Sequence, residues 1–134
     1  MSRSAAVLTL LALAILPRIA AAQDDAEIDP AREFPDKYAV LFENEHVRVV
    51  EYTLEPGERD GTHTHPPKLS YVLAGGTLKI TPEGAEPFLS EEETAATHWS
   101  PHVGRHWVEN VGDTTVRILL VEVKGAADGT QVSP

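Results

Sequence analysis

Between Tyr38 and Lys124 the chain is cut into short apolar runs by a steady supply of proline and glycine, and none of those runs has helical periodicity. His46 to Leu54 carries Val47, Val49, Tyr52 and Leu54 on apolar faces and stops at Pro56-Gly57. Leu69 to Leu73 is closed by Gly75-Gly76, and Thr77 to Thr81 alternates cleanly before Pro82-Glu83-Gly84. Thr94 to Ser100 reads as extended and breaks at Pro101 and Gly104. His106 to Asn110 leads into Gly112-Asp113, and Thr115 to Lys124 is the longest strand candidate. Many short strands at fairly even spacing, with turn residues between them, describe an all-β sandwich or barrel.

The ends of the chain read differently. Arg3, an apolar run from Ala5 to Leu16 and the small residues Ala20 to Ala22 form the pattern of a cleaved secretory signal over 1–22. That run is too short to cross a bilayer, so no stable membrane anchor is expected. Residues 23–37 are acidic and contain Pro30 and Pro35, which suggests a linker or a loosely held arm. A single domain is expected over 38–124, with a small, polar, frayed tail over 125–134. The localisation implied is periplasmic or secreted. The formal charge is −10, and losing Arg3 and Arg18 with the signal leaves nine basic against 21 acidic residues, or −12. Such a chain repels nucleic-acid backbones. Without cysteine it has no disulfide, no thiolate zinc site and no cysteine nucleophile. No serine sits in a glycine-flanked elbow, and no glycine loop is built to cradle phosphate.

One pair of residues carries chemistry. His63 and His65 stand at i and i+2, so an extended chain points both to one face. Imidazoles aimed at one spot suit a transition metal better than oxygen-preferring magnesium or calcium.

On these residues the chain resembles a small single-domain cupin, a double-stranded β-helix or jelly roll. Gly57, five residues, His63-Thr64-His65 and then Tyr71 to Gly75 are similar to that family's first motif. Pro101, His106 and Asn110 are similar to the second, with Gly104 one place later than usual. The resemblance runs from about residue 40 to 124. It implies that His63, His65 and His106 converge on a divalent transition metal (iron, nickel, copper, zinc or manganese), and that Asn110 holds a turn. It also implies a small-molecule ligand or substrate and a homodimer paired through sheet edges.

The chain departs from the family at the glutamate of the first motif. Counting forward from His65 puts that acid at Leu69 or Ser70, and counting back from Gly75 puts it at Lys68. No acid occurs between Asp60 and Glu83. The expected shell is therefore three neutral histidines with open positions, which leaves a divalent ion its full charge and favours an anionic or chelating ligand. His98 and His102, on either side of Pro101, could add a fourth nitrogen or stay exposed. Tyr71 could bring its hydroxyl to the metal or sit at the barrel rim. Trp107 is expected on the face opposite His106, Glu91 to Glu93 as a solvated turn, and His46 as an ordinary surface residue. Two functions follow from the resemblance: an exported metal-dependent dioxygenase acting on a small organic anion, or a non-catalytic cupin that binds a metal or small ligand.

Overall fold

The computed structural model describes residues 26–125, so the proposed signal over 1–22 and the tail beyond Gly125 lie outside it. A one-turn helix, α1 (Pro30–Glu33), precedes nine strands among the described residues. These are β1 (Tyr38–Glu43), β2 (Val47–Leu54), β3 (His63–His65), β4 (Lys68–Ala74), β5 (Gly76–Pro82), β6 (Phe88–Glu92), β7 (Thr97–Ser100), β8 (Val103–Asn110) and β9 (Val116–Val123). They form a five-stranded sheet, β1-β2-β9-β4-β7, and a four-stranded sheet, β3-β8-β5-β6. The strand pairings are antiparallel, and consecutive strands repeatedly change sheets, which winds the chain into a double-stranded β-helix. No helix among the described residues is long and apolar enough to cross a membrane.

Alternation decides what each strand buries. Even-numbered positions face inward on β2, β4 and β9, so Val50, Tyr52, Leu54, Val72, Val116, Ile118 and Leu120 form the core with Tyr38, Leu78 and Val108. Val47 and Val49 share the opposite face from Tyr52 and Leu54. The outer face keeps an apolar row that crosses all five strands: Phe42 pairs Val49, Val49 pairs Val121, Val121 pairs Leu69, and Leu69 pairs Trp99. Phe42, Leu69 and Trp99 in this row are exposed.

Several joints depend on single residues. Gly75 carries the chain from β4 to β5 so close to Glu92 that a Cβ there would run into the Glu92 carbonyl oxygen. Asn110 is buried at the end of β8. Its amide donates to the Leu54 and Thr114 carbonyls at 2.8 Å, and its oxygen accepts from the Gly112 N–H at 3.0 Å. That is the turn-holding role its motif position implied.

Two expectations need correction. The described part of the 23–37 arm is docked rather than loose. Ile28 and Thr64 exchange backbone and side-chain hydrogen bonds, Asp29 caps α1, and Arg48 grips Asp29 with two bonds of 2.8 and 2.9 Å. Phe34 then lies across Gly61 and edge-on to His63. Glu91 and Glu92 belong to β6 rather than to a solvated turn, because that strand's ladder with β5 runs from Gly76↔Glu92 to Ile80↔Phe88.

Candidate metal centre

His63 and His65 come from β3, and His106 comes from β8 directly opposite His63. A register shift lies between His63 and His65, so His65 pairs Val103 while both imidazoles still reach the same place. All three side chains are buried, and one nitrogen from each lies within 4.8 Å of the others.

The hydrogen bonds fix two of the three tautomers. The Nδ1–H of His63 donates to the Gly61 carbonyl at 2.8 Å, and the Nδ1–H of His106 donates to the Gly104 carbonyl at the same distance. A carbonyl only accepts, so each ring carries its proton on Nδ1 and a bare lone pair on Nε2. A metal-bound histidine characteristically has its far nitrogen anchored in this way. His63 Nε2 and His65 Nε2 stand 3.1 Å apart. Two nitrogens at that separation subtend about 98° at an ion about 2.05 Å from each, within the usual coordination range.

Burial also keeps the rings ready to coordinate. Desolvation lowers His63 and His106 to about 4 and pushes His65 well below the ordinary imidazole value. All three are neutral at pH 7. In the intact fold, protons compete for these nitrogens nearer pH 4 than at the reference imidazole value of about 6.5. The donor set therefore fits a borderline divalent transition metal held by three imidazoles, with further positions open.

Three residues that no motif marked complete the wall. Tyr38 Oη lies 3.1 Å from His63 Nε2 and donates to Asp60 Oδ2 at 2.7 Å. Asp60 also accepts from the Tyr52 hydroxyl at 3.3 Å and from the Val108 N–H at 2.6 Å. Its Oδ2 is 3.8 Å from His63 Nδ1, too far to compete with Gly61 for that proton. Burial raises the Asp60 carboxyl while its three donors pull the other way. Asp60 precedes the histidine pair by three residues, and that proximity is the one trace of it in the sequence.

Next to the triad the barrel holds a cavity of about 310 Å³ that opens to solvent. His65, His106, Lys68, Ser70 and His98 contribute to its wall. Of the three positions considered for the family glutamate, Lys68 and Ser70 face this cavity and Leu69 faces out. Tyr71 shares the outer face with Leu69, so its hydroxyl does not approach the histidines. The alternation of β4 turns it away. His98 is half-exposed on the cavity wall, 3.8 Å from Glu92, and stands outside the three-histidine group. His102 is exposed and bonds Glu27 at 3.1 Å, away from the cavity. Trp107 faces away from the centre, as expected, with the Arg59 guanidinium 4.8 Å over its ring. His46 is on the surface beside Glu45.

No protein-family model matches the chain, and no curated protein sequence does. Solved structures do. The chain is similar to a cupin domain from Bordetella pertussis, with 29% identity, a TM-score of 0.60, and coverage of 66% of this chain and 92% of that one. It is also similar to an RmlC-like cupin family protein with a double-stranded β-helix fold from Methanocaldococcus jannaschii, at 20% identity and a TM-score of 0.52, covering 64% and 77% of the two chains. A conserved protein with a double-stranded β-helix domain from Klebsiella pneumoniae is similar at 18% identity and a TM-score of 0.51, covering 69% and 80%.

Proposed function

By fold the chain is a small cupin, and on that premise we propose that it is a metal-dependent dioxygenase acting on a small organic anion at the His63/His65/His106 centre. The observation that carries this reading is the pair of buried, backbone-anchored imidazoles, His63 and His106, each with a bare Nε2, in a group whose His65 and His106 line a ligand-sized cavity. A bound divalent ion would supply Lewis acidity and, when redox-active, an electron source for oxygen chemistry. The chain's own contribution is positional. Apolar side chains such as Leu78, Ile118 and Leu120 line the inner part of the cavity. Tyr38 retains its proton, since burial raises it well above the usual phenol value. Its one proton goes to Asp60 at 2.7 Å, so the hydroxyl, 3.1 Å from His63 Nε2, offers a lone pair toward the centre and helps fix the wall beside His63.

The second reading, a cupin that binds without turnover, is favoured by the lack of a carboxylate at the family position, where Lys68 and Ser70 face inward instead. Oxygen uptake separates the two. Protein loaded in turn with iron, nickel, copper, zinc or manganese is offered diketones, catechols and thiols in an oxygen-electrode assay. The enzymatic reading expects metal-dependent uptake with at least one class that is lost in the His106→Ala variant. No uptake with any metal leaves the binding reading in its place.

We also propose export and self-association. The leader over 1–22 supports export. The apolar row Phe42-Val49-Val121-Leu69-Trp99 supports a homodimer formed through the sheet face rather than its edges. Protein purified from its native host should have an intact mass beginning near Gln23 and a light-scattering mass twice the chain's. A cytoplasmic chain starting at Met1, or a monomer at micromolar concentration, would overturn the respective claim.

A further inference from the structure

Among the described residues Lys68 is a buried charge without a protein partner. It sits on the inner face of β4, 7% exposed, at one of the three positions where the cupin motif would place its glutamate. Among the described residues it makes no hydrogen bond and no ion pair within 4.0 Å. Its register partner Glu122 is committed to Arg48, whose Nε donates to Oε2 at 2.6 Å, and the remaining Glu122 oxygen is buried without a hydrogen-bond partner. Glu92, also on the cavity wall, accepts from Ser90 at 2.7 Å. Asp60 is already saturated by Tyr38, Tyr52 and Val108. The side chain is buried but its ammonium keeps some access to the cavity, and a cation presented there without a protein partner is placed to receive an anion.

We propose that Lys68 anchors the ligand's carboxylate: the cavity takes a small organic acid whose carboxylate binds the Lys68 ammonium while a second oxygen donor faces the three histidines. This rests on the metal reading above and extends it. Lys68 and Glu92 balance in formal charge, so with three neutral imidazoles a bound divalent ion would leave the cavity net positive, and an anionic ligand would offset that charge where a neutral one would not. Burial lowers Lys68 to about 8 against the pull of Glu122 and Glu92, which leaves it mostly charged at neutral pH. The volume of about 310 Å³ confines the ligand to a compact molecule. Ser70, one inward position along β4, lines the same wall and offers a hydroxyl to the same ligand.

The test is a calorimetric titration of zinc-loaded wild type, Lys68→Met and Lys68→Arg with pyruvate and lactate, and with pyruvamide and lactamide as uncharged counterparts. Wild type should prefer the acids. Lys68→Met should weaken them by at least about tenfold, the loss of one charge-assisted hydrogen bond, and leave the amides unchanged. Lys68→Arg should restore most of the affinity. Zinc should bind Lys68→Met as tightly as wild type or more tightly, because a like charge has been removed from its surroundings. The proposal is overturned if Lys68→Met binds the acids as wild type does, if wild type prefers none of them, or if Lys68→Met loses zinc and acids together, which marks a structural lysine. Should wild type take up no zinc, the metal reading fails by itself, and the same comparison on metal-free protein decides Lys68 by the same criterion.

Discussion

His106→Ala is expected to lower divalent-metal affinity by about a hundredfold or more while leaving the barrel folded. Removing one of three imidazoles strips the ion of a principal bond, whereas altering an outer partner alone typically costs ten- to a hundredfold. His106 is the most informative of the three positions. It lies on the long β8 ladder, which is held on both sides by β3 and β5, so backbone pairing survives the truncation. His63→Ala and His65→Ala should lose metal as severely. His98→Ala and His102→Ala should keep it, since one is half-exposed beside Glu92 and the other is tied to Glu27. Wild-type metal should persist as pH falls through 6.5 and leave as it nears 4, following the lowered values of His63 and His106. Stability has the same sign. The unfolded chain takes up protons on these histidines from about pH 6.5 downward and the buried folded rings do not, so metal-free protein loses stability from pH 6.5 toward 4. Equilibrium dialysis across a pH series checks both parts. A His106→Ala protein that binds like wild type would contradict the assignment.

Asp60→Ala should be the most damaging single change to the fold. It leaves the Tyr38 and Tyr52 hydroxyls and the Val108 N–H without their acceptor inside the barrel. Each stranded donor costs about 1–3 kcal/mol. The Tyr38 hydroxyl can turn to His63 Nε2 at 3.1 Å, which leaves Tyr52 and Val108, so a loss of roughly 2–6 kcal/mol is expected against a total stability of about 5–15 kcal/mol. For a domain of this size that lowers the melting temperature by more than about 10 °C. Asp60→Asn should cost less, because one carbonyl oxygen still accepts and the desolvation that raises the acid's pKa is relieved. Thermal melts of metal-free protein decide it. An Asp60→Ala barrel that melts within about 2 °C of wild type would show that this network contributes little.

The residues that were legible in the sequence are those whose roles are local. His63 and His65 stand two apart and both reach the centre despite a register shift between them, Leu78 and Ile80 alternate inward as read, and Asn110, whose role the motif implied, holds its turn through Gly112 and Thr114. Roles set by distant partners were hidden. Tyr38, Tyr52 and Asp60 meet beneath His63 because β1, β2 and the loop before β3 are folded together, and no spacing announces that. β2 offers valine at both odd and even positions, so its buried face was ambiguous until the register with β9 placed Val50 inward and Val49 outward. β4 inverts the usual pattern, with Lys68 and Ser70 inside and Leu69 and Tyr71 outside. At that level the interior is a cavity rather than packed core, and binary patterning fails where function replaces packing. The same inversion is why Tyr71 looked like a site residue and Lys68 did not.

The most direct test of the metal centre is X-ray absorption on wild-type protein reconstituted with one equivalent of zinc or iron, with bound metal counted in the same sample. The geometry of His63, His65 and His106 predicts one tightly held ion per chain, with imidazole multiple scattering from three nitrogens at about 2.0–2.1 Å and the remaining shell filled by light oxygen donors. No stoichiometric ion after reconstitution, or a shell without the imidazole signature, would contradict it.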